Sequence, residues 1–199
     1  MTAQGTGACR HTAVERPAAP RDSELLERIK ARDMLAFERL YRAYQPRLAR
    51  FVTNIVNRPE LVEEVLDDTM MAIWNTAGNF RGASKVSTWI FGIAYRVALK
   101  ARRRWDVPVE YSPDFEQPSE EEGPDEQLQQ GQRQAALRSA INQLSVDHRA
   151  VLDLTYFHGM GYREIASIVG CPVDTVKTRM FHARRKLKGM LAGGAAEWL

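Results

Sequence analysis

Cysteine is scarce in this sequence: Cys9 and Cys171 are the only two in 199 residues. A disulfide scaffold is therefore excluded as the source of stability. Long apolar runs are lacking too, and so is the pattern of a signal peptide. Neither membrane insertion nor secretion is expected, and the chain reads as a cytoplasmic protein. Histidine is sparse and scattered, at His11, His148, His158 and His182. A metal-dependent nuclease would need carboxylates or histidines converging on one point. No enzymatic activity, metal or cofactor is expected. Cys171 and His182 invite a metal site, but eleven residues of helix separate them by about 16 Å, whereas ligands of one zinc sit about 2 Å from the ion. Cys171 is read as a small packed residue.

What the sequence has is charge sorted into blocks. The total is only +3, yet residues 1–20 carry net +1, 21–105 carry +6, 106–132 carry −9 and 133–199 carry +5. Two basic segments flank an acidic one, an arrangement that reports on partners where the total does not. Hydrophobic residues make up 44%, enough for helical cores on either side of the acidic block.

Apolar residues recur at helical spacing from Ser23: Leu25, Leu26 and Ile29, then Leu35, Phe37, Leu40, Tyr41 and Tyr44, then Leu48, Phe51, Val52, Ile55 and Val56. Pro46 and Pro59 mark breaks or first turns. "ELVEEVLDDTMMAIW" reads as an amphipathic helix, "NTAGNFRGAS" as a loop and "VSTWIFGIAYRVALKARRR" as a long helix with a basic end. Strand-like alternation is missing, so the predicted class is all-α. It comprises an N-terminal arm (1–22), a helical domain (23–105), an acidic flexible linker (106–132), a second helical domain (133–191) and a tail (192–199). The linker's 27 residues would span roughly 90 Å if extended, enough to hold two domains on DNA sites about 70 Å apart.

"GYREIASIVGCPVDTVKTRMFHARRKL" has the layout of a helix-turn-helix: a short helix, a Gly170 turn and a second helix with Pro172 in its first turn. Val173, Val176, Met180, Ala183 and Leu187 share one face of that helix. Lys177, Thr178, Phe181, His182, Arg185 and Lys188 fall on the accessible remainder. A phenylalanine exposed among cations suits a DNA major groove, where an aromatic meets thymine methyls and cations meet guanine edges. Arg179, Arg184 and Lys186 lie on the flanks, where phosphate contacts are expected.

In the first domain, Ile90, Ala94, Val97 and Ala101 form a core face beside a stripe of Trp89, Arg96, Lys100, Arg103 and Arg104. Aromatic and basic residues interleaved in this way suit single-stranded nucleic acid, though a buried Trp89 beside a solvated basic edge explains the pattern equally well. Val65, Thr69 and Ile73 turn inward from the preceding helix. That leaves Glu60, Glu64, Asp67, Asp68 and Met71 as an acidic ledge suited to a basic protein surface.

Together these residues resemble a bacterial extracytoplasmic-function (ECF) sigma factor of the sigma-70 family over roughly 23–190. "ELVEEVLDD", "AIW" and "FRGASKVSTWIFGIAYR" are similar to the family's second domain, and "YREIASIVGCPVDTVKTRMFHARRKL" to its fourth. The resemblance implies a protein that binds core RNA polymerase and directs it to promoters. Glu64, Asp67, Asp68 and Met71 would meet the β′ clamp helices, and the fourth domain the β flap. Asn79, Phe80, Arg81, Lys85, Trp89, Arg96, Lys100 and Arg103 would capture the melted minus-10 strand. Lys177, Thr178, Phe181, His182, Arg179, Arg184, Arg185 and Lys188 would serve the minus-35 element. An anti-sigma factor is the implied inhibitor, and the polymerase-bound form is expected to hold one copy. Arg96 and Lys100 stand where many members have Asn and Asp, and Asp174 where a small residue is common. The rival is a stand-alone helix-turn-helix regulator, which would dimerise on palindromic DNA and would need neither the first domain nor the ledge.

Overall fold

A computed structural model describes residues 22–105 and 126–191. All regular structure among them is helical. The first unit holds α1 (Asp22–Lys30), α2 (Met34–Val56), α3 (Val62–Thr76) and α4 (Val86–Trp105), with single 3-10 turns at Pro59–Leu61 and Ala77–Asn79. The second holds α5 (Glu126–Asn142), α6 (Val146–Tyr156), α7 (Tyr162–Val169) and α8 (Val173–Leu191).

Local chemistry sets the boundaries. Asp33 caps α2 by accepting from the backbone N–H groups of Leu35 and Ala36, at 2.9 and 3.1 Å. Arg28 grips the same carboxylate at 2.6 Å, and these contacts hold the Asp33 carboxyl below its ordinary pKa, with the Arg28 hydrogen bond foremost. Ser145 caps α6 through His148 N–H. Glu164 reaches back to accept from Gly161 N–H at 3.0 Å, the acidic half of a capping box at the start of α7. Gly170 ends α7 at φ 68°, a left-handed conformation for which glycine carries no side-chain penalty.

Several sequence expectations are corrected. Pro46 does not break the chain, because α2 runs through it. An interior proline forfeits one helical hydrogen bond and costs about 3 kcal/mol, but Leu40, Tyr44, Leu48, Phe51 and Ile55 on either side are buried along one stripe and carry the helix past it. Leu35 belongs to the surface at 65% exposure, beside the exposed Met34. The segment read as the end of the linker, from Glu126, is already α5; its glutamines are unbranched helix formers that need no apolar stripe. The start of "NTAGNFRGAS" is helical through Asn79. The N-terminal arm, the rest of the linker (106–125) and the tail lie outside the described residues.

The two units share one continuous core. Helix α4 packs on α7, and α2 packs on α6. The first ten residues of α4 explain this joining. Thr88, Ile90, Phe91, Gly92, Ile93, Ala94 and Tyr95 are all buried and Ser87 and Trp89 half-buried, so this half of the helix leaves no residue exposed, as befits a segment with apolar residues on more than one face. Gly92 faces α7 at close range: a Cβ there would stand in ordinary van der Waals contact with Ile168 Cα, at 3.9 Å.

Candidate nucleic-acid and polymerase interface

Helix α8 is anchored by Val176, Met180, Ala183 and Leu187, all buried, with Val173 half-buried. That anchorage fixes which face turns outward. Lys177, Thr178, Phe181, His182, Arg184, Arg185 and Lys188 are exposed, and Phe181 is 61% exposed. Burying that ring against a partner would recover part of the roughly 1.5–3 kcal/mol available to a large apolar side chain. The rings of Phe181 and His182 meet edge to face, 5.5 Å apart. Asp174 at the start of α8 pairs with Lys177 at 2.9 Å, and its carbonyl accepts from the Thr178 hydroxyl. Its charge therefore lies next to a cation, within the turn where the helix dipole favours an acid.

The flanks behave differently from the sequence expectation. Arg179 is half-buried and turned toward α6, where its Nη2 donates to Asp147 at 2.6 Å. Lys186 donates to the Gln143 carbonyl at 2.9 Å. The Arg184 guanidinium lies 5.6 Å from the Tyr156 ring centre. Arg179 and Lys186 are thus held by other elements of the protein, while on the central face Lys177 pairs within its own helix and the side chains stay exposed.

The candidate strand-capture residues divide similarly. Asn79 and Arg81 are exposed, whereas Phe80 is half-buried. Its ring sits 5.4 Å from Trp89, and its carbonyl accepts from Lys30 Nζ at 3.2 Å, which ties the loop before α4 to α1. Trp89 is half-buried, with one side taken by Phe80. Lys85 pairs across to Glu164 of α7 at 3.0 Å. Further along α4, exposed Arg96, Lys100 and Arg103 line a shallow depression together with Leu99 and Arg104. Val97 is half-buried.

On α3, Val65, Leu66, Thr69, Met70 and Ile73 are buried. Glu64, Asp67, Asp68 and Met71 are exposed on the opposite side, Met71 at 55%. With the exposed Glu60 just before the helix, the ledge presents one apolar side chain among four carboxylates. Each of its members lies three or four positions from the next or beside it in sequence, which places them on neighbouring turns.

Sequence reasoning missed the residues that join the units. Asp153 is 2% exposed and accepts from Asn54 Nδ2 of α2 at 2.7 Å, with Arg50 at 3.6 Å. Its other oxygen meets His158 Nε2 at 3.0 Å. The His158 ring is seated 4.5 Å from Phe91 and 6.1 Å from Phe51. Tyr95 donates to Asp147 at 3.1 Å; burial and then the Asp147 charge push the Tyr95 phenol up to about 12. The Gly161 N–H and the Lys85 ammonium hold the Glu164 carboxyl below its ordinary pKa. The available signal was "FGIAY", too apolar on every face for a helix with a solvated side. Its partner was unreadable, because the joining residues are about 50 to 100 positions apart.

Among the described residues, no three His, Cys, Asp or Glu side chains are grouped to hold a metal. Cys171 is a half-buried free thiol beside Arg179, Sγ to Nη1 3.7 Å. No described helix is long and apolar enough to cross a membrane.

Comparison with known proteins places this geometry. The family "Sigma-70 region 2" matches residues 40–106, and "Sigma-70, region 4" matches 134–187. RNA polymerase sigma-H factor of Pseudomonas aeruginosa is 32% identical over 176 residues, covering 83% of this chain and 91% of that protein. The ECF RNA polymerase sigma-E factor of Haemophilus influenzae is 27% identical over 180 residues, covering 85% and 95%. In the solved complex of sigma factor RpoE with the anti-sigma factor NepR from Bartonella quintana, a chain 24% identical superposes with TM-score 0.64, covering 79% of this chain and 98% of that one. With region 2 on α2–α4 and region 4 on α5–α8, this chain belongs to the sigma-70 family as an ECF RNA polymerase sigma factor.

Proposed function

We propose that α8 reads the minus-35 element through Lys177, Thr178, Phe181 and His182, with Arg184, Arg185 and Lys188 on phosphates. Arg179 joins them once it leaves Asp147. The loop at Asn79–Val86 and the exposed stripe Arg96, Lys100 and Arg103 hold the melted minus-10 strand, with Trp89 and Phe80 shaping the loop. Glu64, Asp67, Asp68 and Met71 dock on the β′ clamp helices, and the second unit meets the β flap. An anti-sigma factor restrains the protein, and one copy acts per polymerase.

The observation that carries this reading is Phe181, 61% exposed among cations on a helix whose opposite face is buried. A solvated basic helix gains nothing from an exposed phenylalanine, whereas a major groove offers it thymine methyls. The test is run-off transcription with core polymerase on promoter templates. A promoter-specific transcript that requires this protein is expected. Tight binding of a dimer to an operator without polymerase would instead support the stand-alone regulator.

A further inference from the structure

We infer that Asp174 determines sequence specificity: with Lys177 it forms a donor and acceptor pair that fixes the identity and strand orientation of one base pair in the minus-35 element. It rests on the proposed assignment of α8 to that element. Helix α8 carries six lysines and arginines and a single carboxylate. That carboxylate is 90% exposed and meets Lys177 Nζ at 2.9 Å. The helix dipole favours an acid in the first turn whichever way it points around the axis, so the dipole alone leaves its direction unexplained. At the α-helical repeat, Asp174 lies between Lys177 and Thr178 around the axis and about 20° from Phe181. It therefore stands in the middle of the residues proposed to touch bases. Its backbone carbonyl accepts from the Thr178 hydroxyl at 2.9 Å, which holds Thr178 beside it.

Spacing decides what this pair can read. A lysine ammonium has three donors and a carboxylate accepts at two oxygens, so their mutual bond leaves each with capacity to spare. The result is a donor and an acceptor side by side, 2.9 Å apart. In a G·C pair the guanine O6 and the cytosine N4 are bonded to each other and so stand about 2.9 Å apart, and both are open to the major groove. Lys177 on O6 and Asp174 on N4 satisfy all four groups, and guanine adds N7 as a second acceptor for the ammonium. A T·A pair keeps the same order, with O4 and N6 in those places, but offers a methyl group instead of the second acceptor. Reversing either pair sets an amino group against the ammonium and a carbonyl against the carboxylate, a repulsion of the kind that creates specificity. The carboxylate also repels phosphate, so it keeps Lys177 from the sequence-independent backbone contact that an unpaired lysine makes. On the strand beneath Lys177, the expected order is G, then T, with A and C rejected.

The test is transcription by the protein with core polymerase from a pool of promoter templates that differ only in a randomised minus-35 element, with transcripts counted by sequencing. For the parent protein, one position is expected at which G exceeds T and both exceed A and C by at least about tenfold. Asp174→Ala should bring A and C at that position to within about threefold of G and leave the other positions as in the parent. Asp174→Asn should admit the reversed pairs as well, because an amide donates as readily as it accepts. Lys177→Ala should alter the same position, removing the advantage of G over T. Capture of core polymerase should be retained by all three, since both side chains are exposed. An Asp174→Ala protein that transcribes less from every template, with its base profile unchanged, would reduce Asp174 to a helix-start role and overturn the inference. Asp174 and Lys177 variants that alter different positions would overturn it too. The underlying assignment fails by a different sign: a parent protein whose output is indifferent to the randomised element defeats the reading of α8 itself, and the inference with it.

Discussion

Helices α4 and α8 are nearly equal in length, both rich in arginine and lysine, and both proposed above to meet promoter DNA, yet they are built in opposite ways. Helix α8 buries a single stripe and leaves its reading face open, with Phe181 at its centre. Helix α4 has no exposed residue among its first ten, with only Ser87 and Trp89 half-buried, and is basic only beyond Tyr95. A surface used only to touch DNA can be assembled from one face of one helix. A helix that also packs on a second unit needs a second apolar face, and Phe91, Gly92 and Tyr95 supply it. The contrast explains why two helices of like composition have such different surroundings.

The sharpest way to break the comparison is to truncate the same residue type in each helix. Phe91→Ala removes a fully buried ring that also seats His158, and should lower the unfolding free energy in urea titration by about 3–5 kcal/mol. Phe181→Ala should change it by less than about 0.5 kcal/mol. Similar losses at both positions would mean that the α8 face is packed rather than open.

Next in size is function at the open face. Lys177→Ala with Phe181→Ala removes a cationic and an apolar base contact together, each of a kind worth about 1–3 kcal/mol. Transcription dependent on the minus-35 element should fall by one to two orders of magnitude, while capture of core polymerase in a pull-down is retained. A loss of core capture would put α8 at the protein interface instead. Asp67→Lys with Asp68→Lys reverses the ledge and should weaken core binding by roughly tenfold, mainly through slower association. Unchanged affinity would remove α3 from that role.

The smallest effect concerns the contact between the two units. Glu164 titrates below its ordinary value of 4.5 in the folded protein. Its stabilising contribution is therefore complete above that value and is lost as pH falls through the lowered pKa. The Gly161 share of the shift is local to the start of α7, so only the Lys85 and Thr88 share acts between the units. Because the Glu164–Lys85 pair is partly exposed, solvent weakens it further. A slight expansion by X-ray scattering below pH 4.5 is expected in the parent protein, and Glu164→Gln should show that expansion already at neutral pH. An identical radius for both proteins at every pH would assign Glu164 to capping alone.

The sequence made the open helix legible and the covered one less so, for a physical reason. The faces of α8 follow from 3.6-residue periodicity, because its core stripe and its exposed cations belong to one helix and one unit. The faces of α3 follow in the same way, with Val65, Thr69 and Ile73 inward and the acids outward. In α4 the periodicity gives one core face, yet Phe91, Ile93 and Tyr95 lie off it and still are buried. What they meet is contributed by residues such as Asp147, His158 and Ile168, and no local pattern encodes a partner that distant. The flank cations show the same limit: Arg179 is basic and peripheral in the sequence, but whether it faces DNA or Asp147 depends on a helix that begins 33 residues earlier. Pro46 shows the converse, a local break signal overridden by the packing of its neighbours.

The most direct test is run-off transcription from one promoter with its minus-35 element either intact or scrambled, comparing the parent protein with Phe181→Ala. The parent protein is expected to lose transcription when the element is scrambled, and Phe181→Ala to lose it on the intact template as well, because the exposed ring would no longer meet the major groove. A Phe181→Ala protein that transcribes the intact template as well as the parent protein would contradict the reading of α8.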